Sequence, residues 1–160
     1  LMQEIGKEFA RIFADAGINK ILTIEASGIA IASIAAQYFG NVPVVFAKKA
    51  KSKNLDGSLY TSVVHSYTYG KDFNVTLSQK FLGPQDNVLV IDDFLASGKA
   101  MKGLLDICGQ AGCKVAGIGI CIEKGFQNGG RELREQGYKV ASLAIVDHFN
   151  EDDTLTFREQ

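Results

Sequence analysis

The densest concentration of reactive side chains is the run Val88-Leu89-Val90-Ile91-Asp92-Asp93-Phe94-Leu95-Ala96-Ser97-Gly98-Lys99-Ala100, in which two adjacent carboxylates follow an apolar stretch and precede small residues. Asp92 and Asp93 would repel a phosphate, so they suit neutral hydroxyls or a magnesium ion. The small residues behind them let backbone N–H groups come close to an anion. The helix that follows adds donors outside its own hydrogen-bond ladder and a partial positive charge. Ser97 contributes a hydroxyl. A ligand with a phosphate at one end and vicinal hydroxyls nearby satisfies both halves, as ribose 5-phosphate does. The acid pair alone is equally well explained as a helix cap; it is the whole run that selects a ligand. Gly98-Lys99 does not complete a P-loop, which would need glycine at Asp93 and a hydroxyl at Ala100. Lys99 is therefore expected to serve through its backbone N–H.

Two further clusters could act with this one. Glu25-Ala26-Ser27-Gly28 is a short turn ahead of a helix and offers backbone donors to a second anionic group, although by itself it reads more readily as a plain turn. Lys48-Lys49 closes an apolar run and could neutralise a pyrophosphate. Lysine runs are usually just solvated, and residues 48–53 hold four lysines.

The elements that would position these residues are readable from periodicity. Ile5, Phe9, Ile12 and Phe13 fall on one stripe of a helix over 2–16, with Gly17 as its C-cap. A strand over 21–24, a helix over 29–38 ended by Gly40 and a strand over 42–47 make a βαβ unit, which implies parallel pairing and a right-handed crossover. A strand over 88–91, a polar turn over 92–98, a helix to Gln110 capped by Gly112 and a strand over 115–122 make a second. A helix over 131–136, capped by Gly137, and a strand over 140–145 complete the pattern. These alternations support one α/β domain over 1–160, a doubly wound, mostly parallel sheet. Ligands in such sheets bind beyond the carboxyl ends of the strands, which is where the three polar clusters fall. Residues 50–82 break the alternation. Segments 60–69 and 73–77, around Gly70-Lys71-Asp72, read as an inserted β-hairpin and a candidate lid or subunit contact.

Composition bounds the class. The chain has 160 residues, 46% hydrophobic and 22% charged, with a formal net charge of −1. That is enough for a core without staples, and it gives no electrostatic pull toward nucleic acid or an anionic membrane. Cys108, Cys113 and Cys121 form no CxxC pair and lie far from His65 and His148, so they read as free thiols of a cytoplasmic protein rather than a zinc site. Apolar runs are short, with no membrane span or signal peptide expected.

The run Val88 to Ala100 resembles the phosphoribosyl-diphosphate signature of the type I phosphoribosyltransferases. Thr23-Ile24-Glu25-Ala26-Ser27-Gly28-Ile29-Ala30, Val42-Pro43-Val44-Val45-Phe46-Ala47-Lys48-Lys49, and the stretch from Ala116 to Lys124 with Phe126-Gln127 are similar to the xanthine-using branch of that family. The resemblance implies that Ala96, Ser97, Gly98, Lys99 and Ala100 wrap the 5-phosphate of the donor. Asp92 and Asp93 would hold the ribose hydroxyls, directly or through Mg2+. Ala26, Ser27 and Gly28 would line a pyrophosphate loop beside Lys49 and Lys48. Lys124 would donate to the 6-oxo group of a purine, and Phe126 would pack on the base. It also implies a mobile flap from the hairpin, a homodimer, and a hood segment ahead of the first helix, outside the present sequence, that reads the second oxo group. Three departures stand out: Ala96 replaces an aspartate that serves many 6-oxopurine enzymes as a base, Ala100 replaces a threonine or serine, and Lys48 replaces an arginine. Xanthine ionises readily enough to need a protein base less. Guanine or hypoxanthine as acceptor stays open, as does a non-catalytic regulator that senses the same donor.

Overall fold

The computed structural model describes residues 1–50, 58–66, 71–150 and 154–158. In chain order the elements are α1 (Met2–Ile12), β1 (Lys20–Ile24), α2 (Ser27–Tyr38), β2 (Val44–Ala50), β3 (Leu59–Ser66), β4 (Lys71–Ser78), β5 (Asn87–Leu95), α3 (Lys99–Ala111), β6 (Lys114–Lys124), α4 (Gly129–Glu135), β7 (Val140–Phe149) and β8 (Leu155–Phe157), with one 3-10 turn at Gln79–Phe81. The strands form a single sheet in the order β3-β4-β2-β1-β5-β6-β7-β8. Its centre, β2 to β7, is parallel, and antiparallel strands flank it on both sides.

The two faces are covered differently. On one, Phe9 of α1, its C-cap Phe13, and Ile31, Ala32, Ala35 and Ala36 of α2 pack on Ile21, Leu89 and Ile91. On the other, Met101, Leu104 and Ile107 of α3 and Leu133 of α4 pack on Leu22, Val88, Val90, Ile118 and Ile120. Alternate residues of β1 and β5 thus serve opposite cores, which is why 21–22 and 88–91 are continuously apolar.

Several boundaries differ from the sequence reading, and each difference has a physical cause. Helix α1 stops at Ile12 with Phe13 as its C-cap, and Gly17 instead takes φ 63° in the turn before β1. Phe13 is 1% exposed, so core packing rather than helical periodicity places it. Strand β5 runs on through Asp92 and Asp93 to Leu95, because β6 beside it pairs as far as Leu95 with Glu123. The acids therefore stand on a strand, and the turn is only residues 96–98. Likewise β2 continues through Lys48 and Lys49, held by antiparallel pairing to Thr76 and Val75 of β4. Gly112 and Gly137 take the left-handed conformation expected of C-caps.

The hairpin exists, but Lys71 and Asp72 belong to β4, paired with Ser66 and His65, rather than to its turn. Gly70, the end of the segment 60–69, and Lys51 and Lys53 lie outside the described residues. Through β4 the hairpin extends the main sheet, and β8, unforeseen in the sequence, closes the opposite edge.

Candidate functional site

Adjacent parallel strands carry the polar clusters to one edge of the sheet. β1 lies between β2 and β5, so Glu25, Lys49 and Asp92 all emerge at neighbouring carboxyl ends. A cavity of about 140 Å³ opens there, lined by Asp92, Phe94, Leu95 and every residue from Ala96 to Met101. The acid and the small-residue loop share one mouth.

The loop is shaped by backbone contacts. Gly98 has φ 77°, a conformation that disfavours any residue with a Cβ, and serves as N-cap of α3. The Lys102 N–H closes the first helical bond onto its carbonyl at 2.8 Å. From behind, the Gly129 N–H donates to the Ala96 carbonyl at 3.1 Å, so the start of α4 braces the loop. A Cβ on Gly98 would lie 3.1 Å from Gly129 Cα. Sequence reasoning missed Gly129; the pair Gly129-Gly130 was the available signal.

Asp92 is only 6% exposed, and its carboxyl is pushed up to about 7. Burial is the largest cause, followed by the hydrogen bond and negative charge of Asp93. The Asp93 N–H, donating to Asp92 Oδ1 at 3.0 Å, and the positive charge of Lys49 act the other way. Two carboxyl groups this close do not both ionise freely without a cation or a hydroxyl donor. Nearby, burial first and then the charges of Asp93 and Asp92 raise the Cys121 thiol to about 11, so it stays protonated. Among the described residues no set of three or more His, Cys, Asp and Glu side chains converges as a metal cluster. Two carboxylates alone match an ion that keeps most of its ligands from water and a phosphorylated substrate.

At the first tip, α2 begins at Ser27 with Ala26 as N-cap, so Ser27 and Gly28 belong to the helix rather than to a free loop. Ala26 and Ser27 are exposed, whereas Gly28 is buried beneath them. The peptide between Glu25 and Ala26 is cis. Glu25, part of the predicted turn but given no role of its own there, accepts the Lys49 N–H on Oε1 at 2.6 Å and donates its own N–H to Ala47 at 3.1 Å, tying this tip to β2. Beneath it, Thr23 is fully buried and its hydroxyl has no hydrogen-bond partner among the described residues.

The two lysines part company. Neighbouring residues of a strand face opposite sides of the sheet. Lys49 extends over the Phe73 ring at 5.8 Å and its charge is felt at Asp92, while Lys48 lines a separate, largely apolar groove with Val44, Phe46 and Phe81.

Lys124 ends β6, one residue beyond the partner of Leu95, and its carbonyl accepts from the Gln127 N–H at 2.9 Å. Phe126 is 47% exposed and meets Phe149 edge-on at 5.6 Å. It does not line the cavity of Asp92; it borders a larger one of about 770 Å³ beside β6, β7 and α4. In that larger cavity the charges are already paired. Arg134 clasps the buried Glu123 at 2.9 and 2.7 Å, Ser142 donates to Glu123 at 2.5 Å, and Arg158 holds Asp147. The smaller cavity sets the Asp92 carboxyl beside the turn residues 96–101, while Asp93, the next residue of β5, does not line it.

Residues 1–155 match the family model described as "Phosphoribosyl transferase domain". The chain is 58% identical over 159 residues to a protein named xanthine phosphoribosyltransferase from Bifidobacterium longum (strain NCC 2705), covering 99% of this chain and 82% of that one. A protein of the same name from Lachnoclostridium phytofermentans is also 58% identical, over 99% and 81% of the two chains. In structure, the chain is similar to the Giardia lamblia APRTase complexed with 9-deazaadenine, with TM-score 0.79, 26% identity, and coverage of 92% of this chain and 80% of that one. The adenine phosphoribosyltransferase of Thermoanaerobacter pseudethanolicus shares the fold at TM-score 0.77 and 21% identity, over 90% and 79%.

Proposed function

The chain belongs to the phosphoribosyltransferase family, and from that premise we propose that it transfers the 5-phosphoribosyl group of phosphoribosyl diphosphate to a ring nitrogen of xanthine, giving xanthosine monophosphate and pyrophosphate in purine salvage. The observation that carries the donor half is the shared mouth of Asp92 and the loop from Ala96 to Ala100. The 58% identity to proteins named for xanthine supports the acceptor, against 26% to a structure named for adenine. Lys124 supports it as well, since an ammonium donates to a 6-oxo group but only confronts the exocyclic amine of adenine.

In this reading, the amides and hydroxyl of Ala96, Ser97, Gly98, Lys99 and Ala100 bind the 5-phosphate. Asp92 and Asp93 orient the ribose hydroxyls and are the residues that would hold Mg2+, which when bound neutralises pyrophosphate oxygens. Ala26, Ser27 and Gly28 present the start of α2 to the pyrophosphate, and Lys49 lends it a positive charge as it departs. Bond breaking at the anomeric carbon runs ahead of bond making, so the protein contributes chiefly position and charge. Phe126 packs on the base from the neighbouring cavity. Lys48 faces another groove, and we assign it no more than a long-range charge. The apolar surface of that groove, with Phe46 and Phe81 exposed, supports a homodimer. Three free thiols suit the cytoplasm.

A product assay with the diphosphate donor, magnesium and each purine in turn tests the proposal. Xanthine is expected to give the highest kcat/KM. A preference for guanine or hypoxanthine would overturn the acceptor, and donor binding without transfer to any purine would mark a donor-sensing regulator instead. Sedimentation at working concentration checks the dimer.

A further inference from the structure

Thr23, next to last in β1, is fully buried, with a hydroxyl that meets no hydrogen-bond partner among the described residues. A buried hydroxyl left unpaired costs a folded protein stability, and valine would fill the same space without that cost. Its surroundings show what the hydroxyl is for. A Cβ built on Gly28 would collide with Thr23 Oγ1, and the same point lies 3.3 Å from Asp92 Oδ1. The hydroxyl and the Asp92 carboxyl therefore both approach the buried Gly28, under the first turn of α2. It is shut off from any ligand by the Gly28 backbone, so it cannot touch substrate. It can accept from an amide in that first turn, where helix N–H groups lie outside the ladder, and donate to Asp92. Only a glycine at 28 leaves room for that arrangement.

We infer that Thr23 is a positioning residue whose hydroxyl bridges the first turn of α2 and the Asp92 carboxylate when the donor is bound, locking the pyrophosphate-side and ribose-side halves of the site together. The inference rests on the proposed donor site. It predicts that the bridge forms on ligand binding, at no benefit to the free protein. Removing the hydroxyl then weakens the bound state alone.

The test compares wild type, Thr23→Val and Thr23→Ser by thermal shift with phosphoribosyl diphosphate and magnesium, and by steady-state kinetics. Thr23→Val is expected to melt at or above wild type without ligand. Its donor KM should rise about ten- to a hundredfold, the worth of one hydrogen bond to a charged group, and its donor-induced shift should shrink accordingly. Thr23→Ser should restore both. A Val variant with wild-type donor KM overturns the inference, as does a Ser variant as impaired as Val, which would mean that shape rather than the hydroxyl matters. A wild-type chain with no donor-induced shift would instead overturn the donor site itself, and this inference with it.

Discussion

Replacing Gly98 by alanine isolates the backbone contribution to the phosphate loop. Gly98 has φ 77°, and the added methyl would stand 3.1 Å from Gly129 Cα, a backbone atom that cannot swing away. A left-handed non-glycine residue costs roughly 1–2 kcal/mol, and overpacking against fixed atoms costs about 1–3 kcal/mol more. At about 2–4 °C per kcal/mol for a domain of this size, the melting temperature should fall by roughly 4–20 °C. Gly109 is the internal control. It lies in the same helix, is exposed, has ordinary φ and nothing within 4 Å of a built Cβ. There alanine should raise stability by about 1 kcal/mol through helix propensity alone. Differential scanning fluorimetry of both variants, with and without the diphosphate donor, reads the contrast. Gly98→Ala should also lose most of its donor-induced shift, because the turn amides move. If Gly98→Ala melts with wild type and keeps its donor response, neither the φ of this glycine nor the brace from α4 shapes the loop.

Changing Asp92 and Asp93 together to asparagine should reduce kcat/KM by about a hundredfold or more while leaving the free protein melting no lower, since a crowded buried acid pair is relieved; unchanged turnover would remove both from the site. Lys49→Met should lower kcat by roughly ten- to a thousandfold with little change in stability, measured by steady-state kinetics, because the charge acts on the departing pyrophosphate. Burial pushes Glu123 up, but the bonds from Arg134 and Ser142 outweigh it and hold its carboxyl below the usual range. The stability this confers is complete above the ordinary carboxyl pKa and is lost as pH falls through the lowered one. Acid unfolding monitored by circular dichroism should therefore shift to higher pH in Ser142→Ala, and a coincident transition would show that the network contributes nothing to acid resistance.

Much of the fold was legible because its strands and helices announce themselves locally. β1, β5 and β6 carry continuous apolar runs of the kind a strand covered on both faces shows, and Gly112 and Gly137 mark helix ends that the chain then takes. The element ends were less legible, for a consistent reason. Asp92, Lys48 and Lys49 look like turn residues by type, yet neighbouring strands with backbone groups to satisfy draw them into the ladder.

What the sequence determined by itself is the chemistry of the strand tips: two acids, a small-residue turn and a helix start in one continuous segment, where local order alone brings the donors and acceptors together. The tertiary structure decided which of the scattered groups join them. Strand order placed Lys49 toward the acids while the pleat turned Lys48 away, packing carried Gly129 behind the phosphate loop, and the packing of α2 on β1 and β5 brought the Thr23 hydroxyl and the Asp92 carboxyl up to Gly28. Such contacts arise between segments far apart in the chain, and no pattern of spacing within one segment encodes them.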